Sequence, residues 1–470
     1  MTTYDTLPGT VEKIIDAAIE SHMSNAQWEG DVTQGFKNWR GGTGDGYWHI
    51  APPGNPRSAG GQVTDGDGKP VEFNDGTNVG RDIYGHWETT IRTVFEPWLS
   101  LPDPEAFDAA TRTLADNAWE ISVTTDGDNA VTKIGNPAME SLSYLREKGS
   151  TMSSEFWNDF MEKYAFPLPS VVHGQYEMLA LASISVVGER LAWVNARSDV
   201  CELADNALKA MINARYAGGG GSWSSLLKTL GTIAGIAAVF PTPAKPILAG
   251  AGTILSGLAT LIGTTEPPKP EPIKFGAQDP AACWEQVVEG LRQLNLAIID
   301  QEAKLYEAIN EALKYYADFP HAFDLKAPDL PTVPSGELRT DLIDVEPDDV
   351  KHIAKKTLPR IAGNLTAAAA LDPAKTPHAW QREGLIGLTH QGFYPSWAEL
   401  VANAEYLCSD TAYELLQSAT ALQAAIGEVE AADEESEAAA RKVRDEVRAE
   451  LDYVPPPGAP VDPVPPYGRP

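Results

Sequence analysis

Cysteine is scarce in this chain of 470 residues. The three present, Cys201, Cys283 and Cys408, are far apart and odd in number. They make no C-x-x-C zinc pair and no disulfide framework, so neither a redox fold nor a stapled secreted scaffold is indicated. Basic charge is short as well: 36 Lys and Arg stand against 66 Asp and Glu, a net charge of −30. Phosphate binding needs a basic footprint, which excludes nucleic acid as a main partner. The same imbalance disfavours resting on anionic lipid. Enzyme motifs are missing too. There is no G-x-S-x-G elbow, no Walker A, no G-x-G-x-x-G between strand and helix, and no H-E-x-x-H. The opening MTTYDTLPGT lacks a basic n-region, and no long apolar run follows it. The expectation is a cytoplasmic protein, or one secreted without a Sec signal peptide.

What the chain does have is helical periodicity. Its length predicts two or three cores, and strand signals are sparse. Val11, Ile14, Ile15, Ala18 and Ile19 share one face of a first helix over 11–23. Eleven glycines fall between Gly41 and Gly80, a density that suits an extended loop or small hairpins rather than long elements. Helices are expected over 81–101 and 105–121, separated by Pro102 and Pro104, neither of which can donate a helix hydrogen bond. Residues 137–163 and 170–216 read as two long helices around Phe166-Pro-Leu-Pro169, hence an antiparallel hairpin. The second carries an apolar face through Val172, Tyr176, Leu179, Val186, Leu191 and Val194. Another long helix spans 280–316, between Pro-rich linkers at 266–272 and 325–336. The last helix turns acidic at its end, with ten acids and four bases over 428–452, as in a solvated or coiled-coil-like extension. The expected fold is therefore all-α, built of long antiparallel hairpins around an irregular Gly-rich N-terminal region and a central apolar hairpin. Its parts would be 1–130, 137–216, 222–263, 280–320, 342–452 and a Pro-rich disordered tail, 453–470.

Between Gly221 and the first Pro-rich linker lies a stretch, 226–262, whose charges are Lys228 and Lys245 alone. Its apolar residues are Leu226, Leu227, Leu230, Ile233, Ile236, Val239 and Phe240 on one side of Pro241–Pro246. Ile247, Leu248, Ile254, Leu258, Leu261 and Ile262 lie on the other. Each half falls short of the roughly twenty residues of a membrane span. The stretch reads as an apolar hairpin that either fills the core or enters a membrane.

Sites for chemistry are thin. His173 and Glu177, four apart on a helix, could share a ligand, but two ligands do not make a zinc site. Asp65–Lys69 begins like a calcium loop and lacks its glycine and closing glutamate. No catalytic residue, cofactor or metal is assigned. Among the tryptophans, Trp157, Trp193, Trp284 and Trp397 fall in helices and read as core. Trp48, Trp87 and Trp98 are the candidates for an exposed, ligand-stacking surface.

The long hairpins and two Trp-x-Gly steps, Trp28–Gly30 and Trp39–Gly41, resemble the WXG100-like and ESX (type VII) secretion-associated helical proteins of actinobacteria. Residues 137–216 look like one such hairpin, with Phe-Pro-Leu-Pro at the turn. The module opening Val345-Glu-Pro-Asp-Asp-Val350 looks like a secretion-associated helical module. The resemblance covers about half of the chain through architecture and composition. It implies a non-enzymatic protein that associates with a helical protein partner or with secretion machinery. Trp28 and Gly30, and the Tyr-x-x-x-Asp step Tyr406–Asp410, are then the candidate secretion motifs. The alternative is a membrane-active, α-helical pore-forming protein that uses residues 226–262.

Overall fold

The first helix, α1 (Leu7–Asn25), begins one turn earlier than its periodicity predicts. Pro8 sits in its first turn, where a missing N–H leaves no bond unmade. The computed structural model describes residues 2–33, 36–41, 48–50, 63–64, 67, 69, 79–126, 129–152, 155–214, 223–225, 273–275, 279–325 and 346–451. After α1 comes an antiparallel meander of four short strands, β1 (Glu29–Thr33), β2 (Phe36–Gly41), β3 (Trp48–Ile50) and β4 (Val63–Thr64), paired in that order. Of the Gly-rich stretch, Gly41, Trp48–Ile50 and Val63–Thr64 lie in these strands. Trp39 of β2 is buried, and its indole N–H donates to the Tyr84 hydroxyl at 3.2 Å. That bond ties the meander to α2 (Val79–Phe95). A 3-10 turn, 96–100, and the Pro102/Pro104 break separate α2 from α3 (Asp108–Glu120), as the prolines require.

The expected helix over 137–163 is in pieces. After the hairpin β5 (Val123–Thr125) and β6 (Val131–Ile134) come α4 (Glu140–Gly149), a break, and α5 (Glu155–Phe160), which runs on as a π-turn to Ala165. Hydroxyls end α4: Ser150 donates to the Glu147 carbonyl at 2.8 Å and Thr151 to that of Lys148 at 2.7 Å, which competes with further helix. Met161 then packs on Gly149, where a Cβ would lie 2.2 Å from the Met161 sulfur. The chain folds back on α4 instead of pairing with the helix that follows.

That helix, α6 (Leu168–Ala214), is the axis of the molecule. Every residue from Val171 to Glu189 is buried, not one face alone. A helix apolar all round must be enclosed, and α6 is enclosed by α1, α3, α7 (Pro280–Asp318) and α10 (Tyr394–Leu451). Its antiparallel partner is α7. Cys283 lies beside Ala210 at one end, and Gln175 donates to the Phe323 carbonyl at the other. The expected hairpin of 137–163 with 170–216 is therefore not formed; the long helix that pairs with α6 is 280–318. Asp279 caps α7, accepting from the Ala282 N–H at 3.0 Å, with Pro280 at the first helical position. Between α6 and α7, β7 (Trp223–Ser225) pairs antiparallel with β8 (Ile273–Phe275). The apolar stretch 226–262 lies outside the described residues.

The C-terminal part opens with α8 (Pro347–His352), a π-turn over 353–357 and α9 (Leu358–Ala368). It is not set apart. Asn117 of α3 donates to the carbonyls of Ala368 and Ala370, and Trp397 of α10 to that of Ala182 on α6. Trp380 packs edge-on to Phe107 and Phe393 at 5.3 and 5.0 Å. One hydrophobic cluster joins Leu7 to Ile426, so the described residues share a single core. The class is all-α, as expected.

Two glycines test this packing in opposite directions. At Gly174 of α6 a Cβ would stand 2.5 Å from the Ala322 carbonyl oxygen; at Gly363 of α9 nothing lies within 4 Å. Gly363→Ala should stabilise by about 0.5–1 kcal/mol through helix propensity. Gly174→Ala should lose about 1–3 kcal/mol to overpacking against backbone. Urea unfolding checks both; equal signs would mean that the 320–323 turn does not press on α6.

Candidate functional site

Charged groups deep in the bundle are the first place to look for function, because their burial costs several kcal/mol each unless they are paired. Glu189 interrupts the apolar run of α6, and Glu302 sits inside α7. Between them arrives Arg382, from the turn-rich segment that precedes α10. All three side chains are at most 1% exposed. The guanidinium donates to Glu189 Oε1 at 3.1 Å, to Glu302 Oε1, and through Nε to the Ile386 carbonyl at 3.0 Å. It also lies 4.9 Å from the centre of the Trp193 ring, whose N–H donates to Glu189 at 2.8 Å. Gly387 and Gly392 close the segment around the cluster with φ of +74° and +55°. A Cβ at either would press on Glu302 and Arg382.

Two carboxyls share one guanidinium here. Burial, and then the neighbouring Glu189 carboxylate, raise Glu302 to about 8. Burial raises Glu189 too, against the pull of Arg382. One proton held by the pair leaves the cluster neutral, the cheapest state for a site without water. With no exposed side chain the cluster offers no access to a substrate. It is a lock between α6, α7 and the segment before α10.

A second polar junction lies nearer the start of α6. The Gln175 amide N–H groups meet the carbonyls of Phe323 and Leu407 and the Thr411 hydroxyl at 2.8–3.2 Å. Beside these residues, Asp324, Asp410 and Glu414 bring one carboxylate oxygen each within 4.8 Å of the others. Among the described residues this is the group with metal-ligand geometry, though Asp324 and Glu414 are also engaged by other neighbours. Burial raises the nearby Tyr164 hydroxyl to about 12; a hydrogen bond to Ser418 works against the rise, and the charges of Glu414 and Asp410 add to it. His173 is buried one step away, bonded through Nδ1 to the Thr125 hydroxyl at 2.9 Å. Burial lowers it to about 4, so it is neutral. Its Nε2 is 3.9 Å from Glu177, too far for a hydrogen bond.

The candidate secretion residues are scattered. Trp28 precedes β1 and is partly buried against the core, while Gly30 pairs with Trp39 across β1 and β2. Both Trp-x-Gly steps thus lie in the meander. Tyr406 and Asp410 are one turn apart on α10, with Tyr406 59% exposed. Trp157, Trp193, Trp284 and Trp397 are core, as read from sequence. Trp87 and Trp98 are also buried, which corrects the expectation that these two are exposed: both face the core from α2 and the turn after it, while the Trp48 side chain lies outside the described ones. Sequence reading missed the charge cluster. Its signal was Glu189 itself, an acid at the end of a long apolar run.

The two shifted groups set opposite pH slopes. His173, lowered from 6.5 to about 4, contributes stability that is present above 6.5 and lost as pH falls toward 4. Glu302, raised from 4.5 to about 8, contributes stability that is present below 4.5 and lost as pH rises through 8. Each slope reaches about 1.4 kcal/mol per pH unit. These two contributions cancel between pH 4.5 and 6.5 and leave the Glu302 decline between 6.5 and 8. Glu302→Gln should abolish that decline, and His173→Gln should extend it to lower pH. Urea unfolding across pH checks this; a variant-minus-wild-type curve without slope would refute the assignment.

No family model matches this chain, and neither a curated protein nor a solved structure matches it.

Proposed function

We propose that this is a non-enzymatic helical-bundle protein of the type VII (ESX-like) secretion world, a substrate or associated partner that acts by helix–helix association. One observation carries the reading. α10 is packed into the bundle as far as Ile426, then continues as helix to Leu451. Every described side chain from Gly427 to Arg444 is exposed. At 1.5 Å per residue the projecting part is about 37 Å long. Helices are held chiefly by packing of one face rather than by propensity, so this end suits a second helix, supplied by a partner. Its surplus of acid selects a partner with basic residues. Tyr406, exposed on the same helix, is open to recognition.

Removing residues 428–470 leaves the core whole, so the shortened protein should melt as the full chain does. Expressed in an actinobacterial host with an active type VII system, the full chain should appear in the culture filtrate and the shortened one should stay inside. Equal secretion of both would end the proposal.

A second reading is favoured by the β7–β8 pair. It holds Ser225 and Ile273 side by side, so the two ends of the intervening chain, which carries the apolar residues of 226–262, are joined at one point. Such a stretch is suited to a membrane-active protein. The full chain should then float with liposomes and release trapped dye, and a version lacking 226–262 should do neither. A full chain that leaves liposomes intact, with or without partner proteins, would remove this reading.

A further inference from the structure

The projecting end of α10 carries its charges in blocks. Its first half, 428–437, holds six acids and no base; its second half, 438–451, holds four bases and three acids. Register sharpens the division. Glu430, Glu434, Glu437, Arg441, Arg444 and Arg448 follow one another at steps of four and three, so their positions share one face of the helix. Along that face three acids are succeeded by three arginines. Glu437 and Arg441, at the junction, are paired within the helix. Elsewhere the order works against a lone helix: Glu430 with Glu434, and Arg444 with Arg448, set like charges four apart, at a cost of about 0.2–0.5 kcal/mol each. A helix suited to stand alone in water alternates acids and bases at that spacing. The stripe of positions one residue back is small and apolar, through Val429, Ser436, Ala440, Val443 and Val447, with Asp433 as its charged exception. Val443 is 59% exposed.

We infer that the end of α10 pairs with the same segment of a second copy, antiparallel and overlapping over 427–451. With the two-fold axis at Ala439, position 430 of one copy stands opposite 448 of the other, 434 opposite 444, and 437 opposite 441. Each glutamate then meets an arginine, and the symmetry repeats every pair. Ala438, Ala439 and Ala440 lie at the axis and are exposed; side chains that small let two helices approach closely. A parallel pair would set acids on acids and arginines on arginines, and bring together two bundles of a chain whose net charge is −30. The antiparallel pair keeps the bundles at opposite ends of an overlap of about 37 Å, several Debye lengths at physiological salt. A basic helix from another protein would satisfy the acidic half and repel the three arginines, whereas a second copy satisfies both halves. The pairing rests on the reading of α10 as a helix-associating end and names its partner.

The test uses the full chain, the chain ending at Gly427, and two triple variants of the full chain. One carries Glu430→Arg, Glu434→Arg and Glu437→Arg; the other carries Arg441→Glu, Arg444→Glu and Arg448→Glu. Sedimentation at low ionic strength and high-micromolar concentration should find the full chain dimeric and the shortened one monomeric. Each triple variant should be monomeric by itself, since its face bears one sign, and an equal mixture of the two should regain the dimer. Variants whose helix had merely frayed would not recover on mixing. Raising the salt to about 1 M, where the Debye length shrinks to about 3 Å, should weaken the dimer at least about tenfold. Direction is read by oxidative cross-linking, for which the native cysteines are buried: Gly427→Cys and Leu451→Cys should join each other, and neither should join itself. A monomeric full chain, a dimer kept by either triple variant, a mixture that stays monomeric, or Gly427→Cys joined to itself overturns the pairing. A monomeric chain whose secretion still requires 428–470 would overturn the pairing alone and leave α10 to another helical partner.

Discussion

The fold depends on the enclosure of one helix. Val171–Glu189 is buried on all sides, a stretch of about 28 Å at 1.5 Å per residue. A helix with no polar face has no stable place on a surface, so the chain must wrap it. Four long helices do so, drawn from the beginning, middle and end of the sequence. This explains why the C-terminal part does not stand alone: Trp397 reaches across to the Ala182 carbonyl, and Phe107, Trp380 and Phe393 pack as one aromatic group.

Enclosure by apolar contact alone would leave the arrangement loosely specified, because cores accept many packings of similar volume. The polar residues of α6 narrow the choice. His173 faces Thr125 of β5, Gln175 the turn after α7 together with α10, and Glu189 the Arg382 segment and Glu302 of α7. Each has a different neighbour to satisfy. A rotation of α6 by one residue would strand Gln175 and Glu189 without partners, at a cost of about 1–3 kcal/mol for the amide and more for the charge.

These marks also show what was legible in the sequence and what was not. Long helices are periodic over many turns, so α1, α6, α7 and α10 stood out; Pro280 placed the start of α7, and Pro102 and Pro104 the break between α2 and α3. Which helix pairs with which was not legible, because periodicity describes a face and not its neighbour. The expected pairing of 137–163 with α6 assumed that chain neighbours pack together. Gly149 and the hydroxyls after it broke that stretch, and α7, more than sixty residues further on, took the place. The part of the meander that lies beyond Gly41 was legible only as an extended loop or small hairpins, since its glycines mask alternation. Arg382 was invisible as a member of the charge cluster: its partners lie 193 and 80 residues away. No spacing rule links residues at such distances.

The buried cluster and the projecting end of α10 handle charge in opposite ways. Arg382, Glu189 and Glu302 are shut away from water, where one proton shared by two carboxyls removes the surplus charge. Such a site resists change, since every displacement leaves a charge unpaired in a low dielectric. Beyond Ile426 the helix carries nine acids against four bases, and its described side chains all face solvent. There water and salt screen the repulsion within about 8 Å, and little holds the helix except its own propensity. The bundle is therefore rigid where its charges are few and buried, and open to a partner where they are many and exposed. The turn before α10 stands where the rigid part meets solvent, and Glu302 and Arg382, which also join α6 to α7, hold its backbone through Leu388 and Ile386.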